Sequence, residues 1–84
     1  MEVMFFKSKD CPQCPRAQDA LQKALEGLAA DIDVTYVDIS TVDGRIEALN
    51  NMVMETPSLK VGDEVYGKAD ILDAQRVRQL LLGE

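Results

Sequence analysis

The sequence predicts an α/β fold in the order β-α-β-α-β-β-α, with a four-stranded mixed sheet and helices on both faces. Short apolar runs typical of strands alternate with longer segments whose apolar residues recur at helical spacing. The dipeptide Gly62-Asp63 separates the last two predicted strands and indicates a tight antiparallel hairpin. Strand–helix–strand connections are almost always right-handed crossovers, so the first two strands should be parallel.

Size and charge restrict the class of protein. A chain of 84 residues suffices for one domain, so we expect a single domain over residues 1–84 that acts as a monomer. The net charge of −6 argues against binding to nucleic acid or to an anionic membrane surface. Neither a long apolar span nor a secretory leader is visible, so we expect a cytoplasmic protein with no membrane partner.

The first three elements follow from apolar patterning. Residues 3–6 form a continuous apolar run, typical of a strand covered on both faces. A helix follows, because six apolar residues share one helical face: Ala17, Ala20, Leu21, Ala24, Leu25 and Leu28. Residues 34–37 are mostly β-branched or aromatic and predict the second strand.

The second helix is predicted over roughly residues 43–52, although Gly44 in its first turn disfavours it. Ser40 or Thr41 would cap its N-terminus. Its inward-facing residues would be Ile46, Leu49 and Val53.

The remaining elements are a hairpin and a final helix. Residues 58–61 and 64–66 flank the predicted turn and form its two strands. Asp70 is expected to cap the last helix. The residues that this helix turns towards the core would be Ile71, Ala74, Val77 and Leu81.

The chemistry lies in Cys11-Pro12-Gln13-Cys14, between the first strand and the first helix. Ligands of α/β folds usually bind at this end of the strands. Helical geometry from Pro12 onward, with Pro12 at the first helical position, would bring the two sulfurs close enough for a disulfide. Free N–H groups and the helix dipole favour the thiolate of Cys11, which would attack first. Cys14, one turn deeper, would attack second.

Other uses of the two cysteines need further partners. Zinc prefers four ligands, and this chain has two cysteines and no histidine, so zinc would require a dimer or carboxylates. The lack of histidine also excludes hydrolysis by a Cys–His pair. One alternative is a binding module without turnover, such as a dimer sharing a metal or an iron–sulfur cluster through Cys11. Another is a docking domain whose cysteines are incidental.

With Thr56-Pro57 before the hairpin, the whole sequence resembles the thioredoxin/glutaredoxin superfamily. The shared features are an apolar strand, C-P-x-C opening a helix, x-Pro before a hairpin, and a final helix. The resemblance implies a thioredoxin-like fold and a thiol–disulfide oxidoreductase acting on protein disulfides through Cys11 and Cys14. It also implies that Pro57 is cis and faces the cysteines, and that the backbone of Thr56 docks a bound peptide.

Within that superfamily, the proline at position 12 and the short chain resemble glutaredoxin, although Gln13 departs from its common aromatic residue. In that resemblance Pro12 and Gln13 belong to the substrate-binding surface. Gly67 and Asp70 match the glutaredoxin segment that holds glutathione, and Lys7 or Lys9 would meet a glutathione carboxylate. We therefore expect no bound cofactor, and glutathione or a flavoprotein reductase as the reductant.

Overall fold

The computed structural model describes residues 1–28 and 31–83. Its strands are β1 (Glu2–Lys7), β2 (Asp33–Asp38), β3 (Ser58–Val61) and β4 (Glu64–Tyr66). Its helices are α1 (Cys14–Glu26), α2 (Val42–Asn50), α3 (Lys68–Ile71) and α4 (Ala74–Leu82). The strand order is β2-β1-β3-β4; β1 is parallel to β2 and antiparallel to β3, and β4 is antiparallel to β3. The predicted four-stranded mixed sheet is confirmed.

Strand β1 lies inside the sheet, and its residues alternate between two apolar clusters. Val3 and Phe5 pack with α1 and α4, whereas Phe6 packs on the α2 side, with the half-buried Met4 against the same cluster. This alternation is the period-two geometry of a strand covered on both faces. The continuous apolar run at residues 3–6 is thereby explained, and the placement of helices on both faces is confirmed.

The larger cluster joins the sheet to the helices α1, α3 and α4. Its buried residues are Val3, Phe5, Ala17, Ala20, Leu21, Ala24, Leu59, Ile71, Val77, Leu80 and Leu81. Most of the predicted inner face of α1 is among them. Within residues 1–28 and 31–83, no helix has the length and apolar character needed to cross a bilayer.

The predicted inner face of α2 is wrong for two of its three residues. Ile46 and Leu49 are exposed, whereas Gly44, Ala48 and Val53 are buried. A Cβ atom at position 44 would meet the carbonyl oxygen of Asp38, so this glycine allows α2 to approach the end of β2 closely. Small residues therefore face inward, and the bulky residues at positions 46 and 49 face outward.

The last predicted helix is two helices. Asp70 lies inside the short α3, so its predicted role as the helix cap is wrong. The cap of α4 is Asp73, whose carboxylate accepts a hydrogen bond from the N–H of Gln75 at 3.0 Å.

The predicted hairpin between β3 and β4 is confirmed. Gly62 in its turn has φ +61°, the left-handed conformation that favours glycine at such turns.

Candidate functional site

Cys11 and Cys14 are joined by a disulfide, and their Cα atoms lie 5.4 Å apart. A turn brings them together, because the N–H of Cys14 donates to the carbonyl oxygen of Cys11 at 3.3 Å. Cys14 is the first residue of α1, and its exposed fraction is 5%. Cys11 is half-buried, so the earlier cysteine is the more accessible of the two, as the sequence predicts.

The start of α1 differs from the prediction by two residues. The helix begins at Cys14, with Gln13 as its N-cap residue, so Pro12 lies in the preceding turn and Pro15 in the first helical turn. Pro15 is tolerated there because the first N–H groups of a helix have no partner within it. Pro12 and Gln13 are both exposed beside Cys11.

A shallow depression of about 480 Å³ surrounds the disulfide. It is lined by Lys7, Ser8, Lys9, Cys11, Cys14, Pro15, Gln18, Asp19 and Gln22. Lys7 and Lys9 contribute two cationic side chains to this lining, and Asp19 contributes one anionic side chain. The structure therefore brings together three of the site residues predicted from the sequence: Lys7 and both cysteines.

The loop before β3 contacts a residue that lines this depression. The Thr56–Pro57 peptide bond is cis, as the family resemblance implies, and Pro57 is fully buried. The hydroxyl groups of Thr56 and Ser8 lie 2.8 Å apart, and Ser8 is one of the residues that line the depression. The hydroxyl of Ser58 donates to the carbonyl oxygen of Glu55 at 2.6 Å, which further fixes the loop.

Gly67 and Asp70 do not line the depression. Gly67 is exposed and stands immediately before α3. The carboxylate of Asp70 accepts a hydrogen bond from Nε of Arg76 at 3.1 Å. That pair connects α3 to α4, so Asp70 has a structural partner in this conformation. Contact of either residue with glutathione stays a prediction.

Two residues that contact the segment leading to the cysteines were not predicted as site residues from the sequence. Ser8 holds Thr56, and Ser40 accepts a hydrogen bond from the N–H of Lys9 at 2.7 Å. Both are small polar residues that immediately follow a strand or lie close to its end. The only sequence signal was their position, since the ends of parallel strands meet at one edge of a sheet.

A family model described as a thioredoxin domain matches residues 1–82. The chain belongs to this family of thioredoxin domains. A search of curated proteins returned no match. Solved thioredoxin-like structures share the fold at low sequence identity. An uncharacterized thioredoxin-like protein from Clostridium perfringens is 16% identical, with a TM-score of 0.79 over 98% of this chain and 68% of that one.

A second similar structure is thioredoxin 1 from the thermophilic eubacterium Thermosipho africanus. It is 13% identical, with a TM-score of 0.65 over 100% of both chains. At such low sequence identity, the similarity to these two structures shows a shared fold and does not show a shared activity. The thioredoxin domain described here therefore has a thioredoxin-like fold with a disulfide-capable Cys11–Cys14 pair where the first helix begins.

Proposed function

We propose that this thioredoxin domain is a thiol–disulfide oxidoreductase that reduces protein disulfides through a reversible Cys11–Cys14 disulfide. The observation that carries the proposal is the pairing of a half-buried Cys11 with a buried Cys14 where α1 begins. Unequal exposure supports two different roles, because an incoming disulfide reaches the more accessible sulfur first. Cys11 is the attacking nucleophile and Cys14 the resolving one.

The reaction is two successive thiol–disulfide exchanges. The Cys11 thiolate attacks one sulfur of the substrate disulfide; that bond breaks, a mixed disulfide forms, and one substrate thiolate leaves and takes up a proton. The Cys14 thiolate then attacks Sγ of Cys11, which releases the second substrate thiolate. Two electrons pass to the substrate, and the Cys11–Cys14 pair is left oxidised.

Substrate binding is assigned to the residues around Cys11. Pro12 and Gln13 present an exposed turn next to the attacking sulfur. Thr56 is held by the hydroxyl of Ser8, which lines the depression, and the next residue, Pro57, is buried. This arrangement supports the implied role of Thr56, whose backbone would pair with a peptide that carries the disulfide.

Resetting the pair requires an external reductant, and no resident cofactor is needed for either exchange. Glutathione and a flavoprotein reductase are the two candidates. Lys7 lines the depression and could pair with a carboxylate of glutathione. We propose that the protein acts as a monomer in the reducing cytoplasm, where a neighbouring cysteine pair is more often catalytic than structural.

Trapping of the mixed disulfide tests the roles assigned to Cys11 and Cys14. The Cys14→Ser variant, incubated with an oxidised protein substrate, should accumulate a mixed disulfide at Cys11 that mass spectrometry detects. The matched Cys11→Ser variant should trap nothing. If only the Cys11→Ser variant forms the mixed disulfide, the roles are wrong. If neither variant does, and the purified protein contains stoichiometric iron or zinc, the oxidoreductase proposal fails.

The reductant is identified by a separate comparison. The oxidised wild-type protein is incubated with glutathione in one series and with a pyridine-nucleotide-linked flavoprotein reductase in another. Reduction of the Cys11–Cys14 pair is followed by thiol alkylation and mass. The series with the faster second-order rate constant identifies the donor class.

A further inference from the structure

Strand β2 lies at an edge of the sheet, and its outer side is open. In the part of the chain that the structure describes, β2 pairs with β1 alone. The N–H of Asp33 donates to the carbonyl oxygen of Met1 at 2.8 Å, so Asp33 is directed towards β1. Because alternate residues of a strand bond to the same neighbour, Val34 and Tyr36 direct their N–H and C=O groups outward. We call the outer side of residues 33–38 the β2 edge.

The middle of the β2 edge lacks the residues that protect such edges in other proteins. Edge strands are usually blunted by proline, by charged side chains or by a bulge, since their free N–H and C=O groups are a template for a further strand. Residues 34–37 read Val-Thr-Tyr-Val, and all four favour pairing in a sheet. Thr35 and Tyr36 are exposed. The backbone of the β2 edge is therefore available for an added strand.

A depression of about 530 Å³ lies beside the β2 edge, between the sheet and α2. It is larger than the depression around the disulfide, and no described residue lines both. The charged residues of its lining are Glu2, Asp38, Asp43 and Glu47. Among the described residues, neither a lysine nor an arginine lines it. The depression therefore favours a cationic occupant.

The two faces of β2 specify different side chains in an added strand. Thr35 lines the acidic depression on the α2 side of the sheet. On the other side the ring of Tyr36 meets that of Phe5 edge-on, with centroids 5.9 Å apart, and Val34 packs against the larger apolar cluster. Side chains of an added strand alternate between the same two faces. Those beside Thr35 would meet carboxylates, and those beside Tyr36 would extend an apolar face.

A second copy of the chain fits the β2 edge poorly. Antiparallel pairing of two such edges about a twofold axis would place both acidic depressions on one face of the joined sheet, next to each other. Each chain also carries a net charge of −6, so like charges would oppose one another across the junction. A strand that carries lysine or arginine on this face removes the repulsion and replaces it with attraction.

We propose that the β2 edge binds an extended segment of a partner protein in which lysine or arginine alternates with apolar residues. The segment adds a fifth strand to the sheet and pairs with the backbone of Val34 and Tyr36. Its basic side chains lie over the acidic depression, and its apolar side chains lie beside the ring of Tyr36. This binding goes beyond the proposed disulfide reduction and does not depend on it.

Amide hydrogen exchange tests the added strand. The ¹⁵N-labelled oxidised protein is saturated with a short synthetic peptide that alternates lysine with valine. In the free protein the outward amides of Val34 and Tyr36 should exchange quickly, whereas those of Thr35 and Val37, directed to β1, should exchange slowly. The peptide should slow exchange at Val34 and Tyr36 by at least about tenfold. Binding that leaves both amides unprotected would overturn the proposal.

A proline-containing peptide is the matched control for backbone pairing. It keeps the lysines of the first peptide but carries proline for the central valine, and proline cannot donate to a ladder of hydrogen bonds. We expect it to leave Val34 and Tyr36 unprotected. Equal protection by both peptides would contradict pairing along the β2 edge.

Charge variants test the nature of the occupant. Glu2→Gln/Glu47→Gln removes two carboxylates from the depression, and Glu55→Gln/Glu64→Gln removes two exposed carboxylates from outside it. The Kd of the alternating peptide should rise by at least about threefold in the first variant, since two exposed ion pairs are lost. At physiological salt, which screens distant charges, the second variant should keep the wild-type Kd. Equal Kd values in the two variants, or equally tight binding of a peptide with glutamate for lysine, would overturn the proposal.

Sedimentation velocity without peptide distinguishes a second copy from a partner protein. We expect a monomer in which Val34 and Tyr36 exchange quickly. A dimer in which these two amides are already protected would assign the β2 edge to a second copy and overturn the proposal. None of these measurements depends on disulfide chemistry, so failure of the proposed oxidoreductase function would leave their outcome unchanged.

Discussion

The side-chain hydroxyls of Ser8 and Thr56 lie 2.8 Å apart and join two distant parts of the chain. Ser8 follows β1 and belongs to the segment that leads to the cysteines. Thr56 precedes the cis proline that leads into β3. One hydrogen bond between half-buried side chains thus connects the proposed nucleophile segment to the proposed peptide-docking loop.

Replacing Ser8 by alanine should weaken this connection. We expect the free energy of unfolding to fall by about 1 kcal/mol, the usual net value of one such hydrogen bond. The KM for a peptide disulfide should rise, because Thr56 loses the contact that holds its side chain. Urea unfolding and peptide reduction measure the two effects. Ser8→Thr keeps a hydroxyl and is the control; identical behaviour of the two variants would contradict the assigned role of the hydrogen bond.

Gly44 provides a second test, this time of how α2 is positioned. A Cβ at this position would meet the backbone carbonyl of Asp38, which cannot move as a flexible side chain can. Gly44→Ala should therefore lower the free energy of unfolding by about 1–3 kcal/mol, as overpacked substitutions do.

Gly67→Ala is the matched control for that substitution. Position 67 has negative φ, and no atom lies within 4 Å of an added Cβ. Its effect should stay below about 1 kcal/mol, because alanine at an unstrained site chiefly restricts the unfolded chain. Urea denaturation of both variants measures the difference. Equal stabilities would show that α2 can shift away from β2 without cost.

The features predicted correctly from the sequence depend on local chemistry. The cysteine pair, the left-handed turn at Gly62 and the apolar run of β1 each have a signal within a few residues. The inner face of α2 has no such signal, because apolar residues occur on both sides of this helix. Close packing at Gly44 decides which side is buried, and that contact involves a residue on another element.

The break between α3 and α4 illustrates the same limit. Asp70 and Asp73 are both acceptable N-cap residues three positions apart, and either fits the apolar spacing that follows. In the structure Asp73 is the N-cap residue of α4, and Asp70 accepts a hydrogen bond from Arg76. The choice depends on how α3 packs against the sheet and α1, which the local pattern does not encode.

The packing of α1 in the larger apolar cluster is tested by Leu21→Ala. Leu21 is 1% exposed and lies on the face of α1 that contacts the sheet. Truncation should cost about 2–5 kcal/mol, the range for buried leucines that leave a cavity. That is a large share of the roughly 5–15 kcal/mol that stabilises a small domain. Leu82→Ala, at an exposed position on α4, should change the unfolding free energy by less than about 1 kcal/mol. Similar losses in thermal or urea unfolding would mean that α1 does not pack as described.

Substitutions in the Asp70–Arg76 pair distinguish a structural role of Asp70 from a role in binding glutathione. Its side chains are 35% and 40% exposed, so solvent screens the attraction, and either Asp70→Asn or Arg76→Gln should cost at most about 1 kcal/mol. The double variant should lose no more than the larger single loss if the pair is the only interaction removed. Urea unfolding completes this double-mutant cycle. The same two single variants test whether Asp70 belongs to a glutathione-binding segment. A higher KM for glutathione in Asp70→Asn alone would show that the carboxylate contacts glutathione. Equal KM values in both variants would restrict Asp70 to joining α3 and α4.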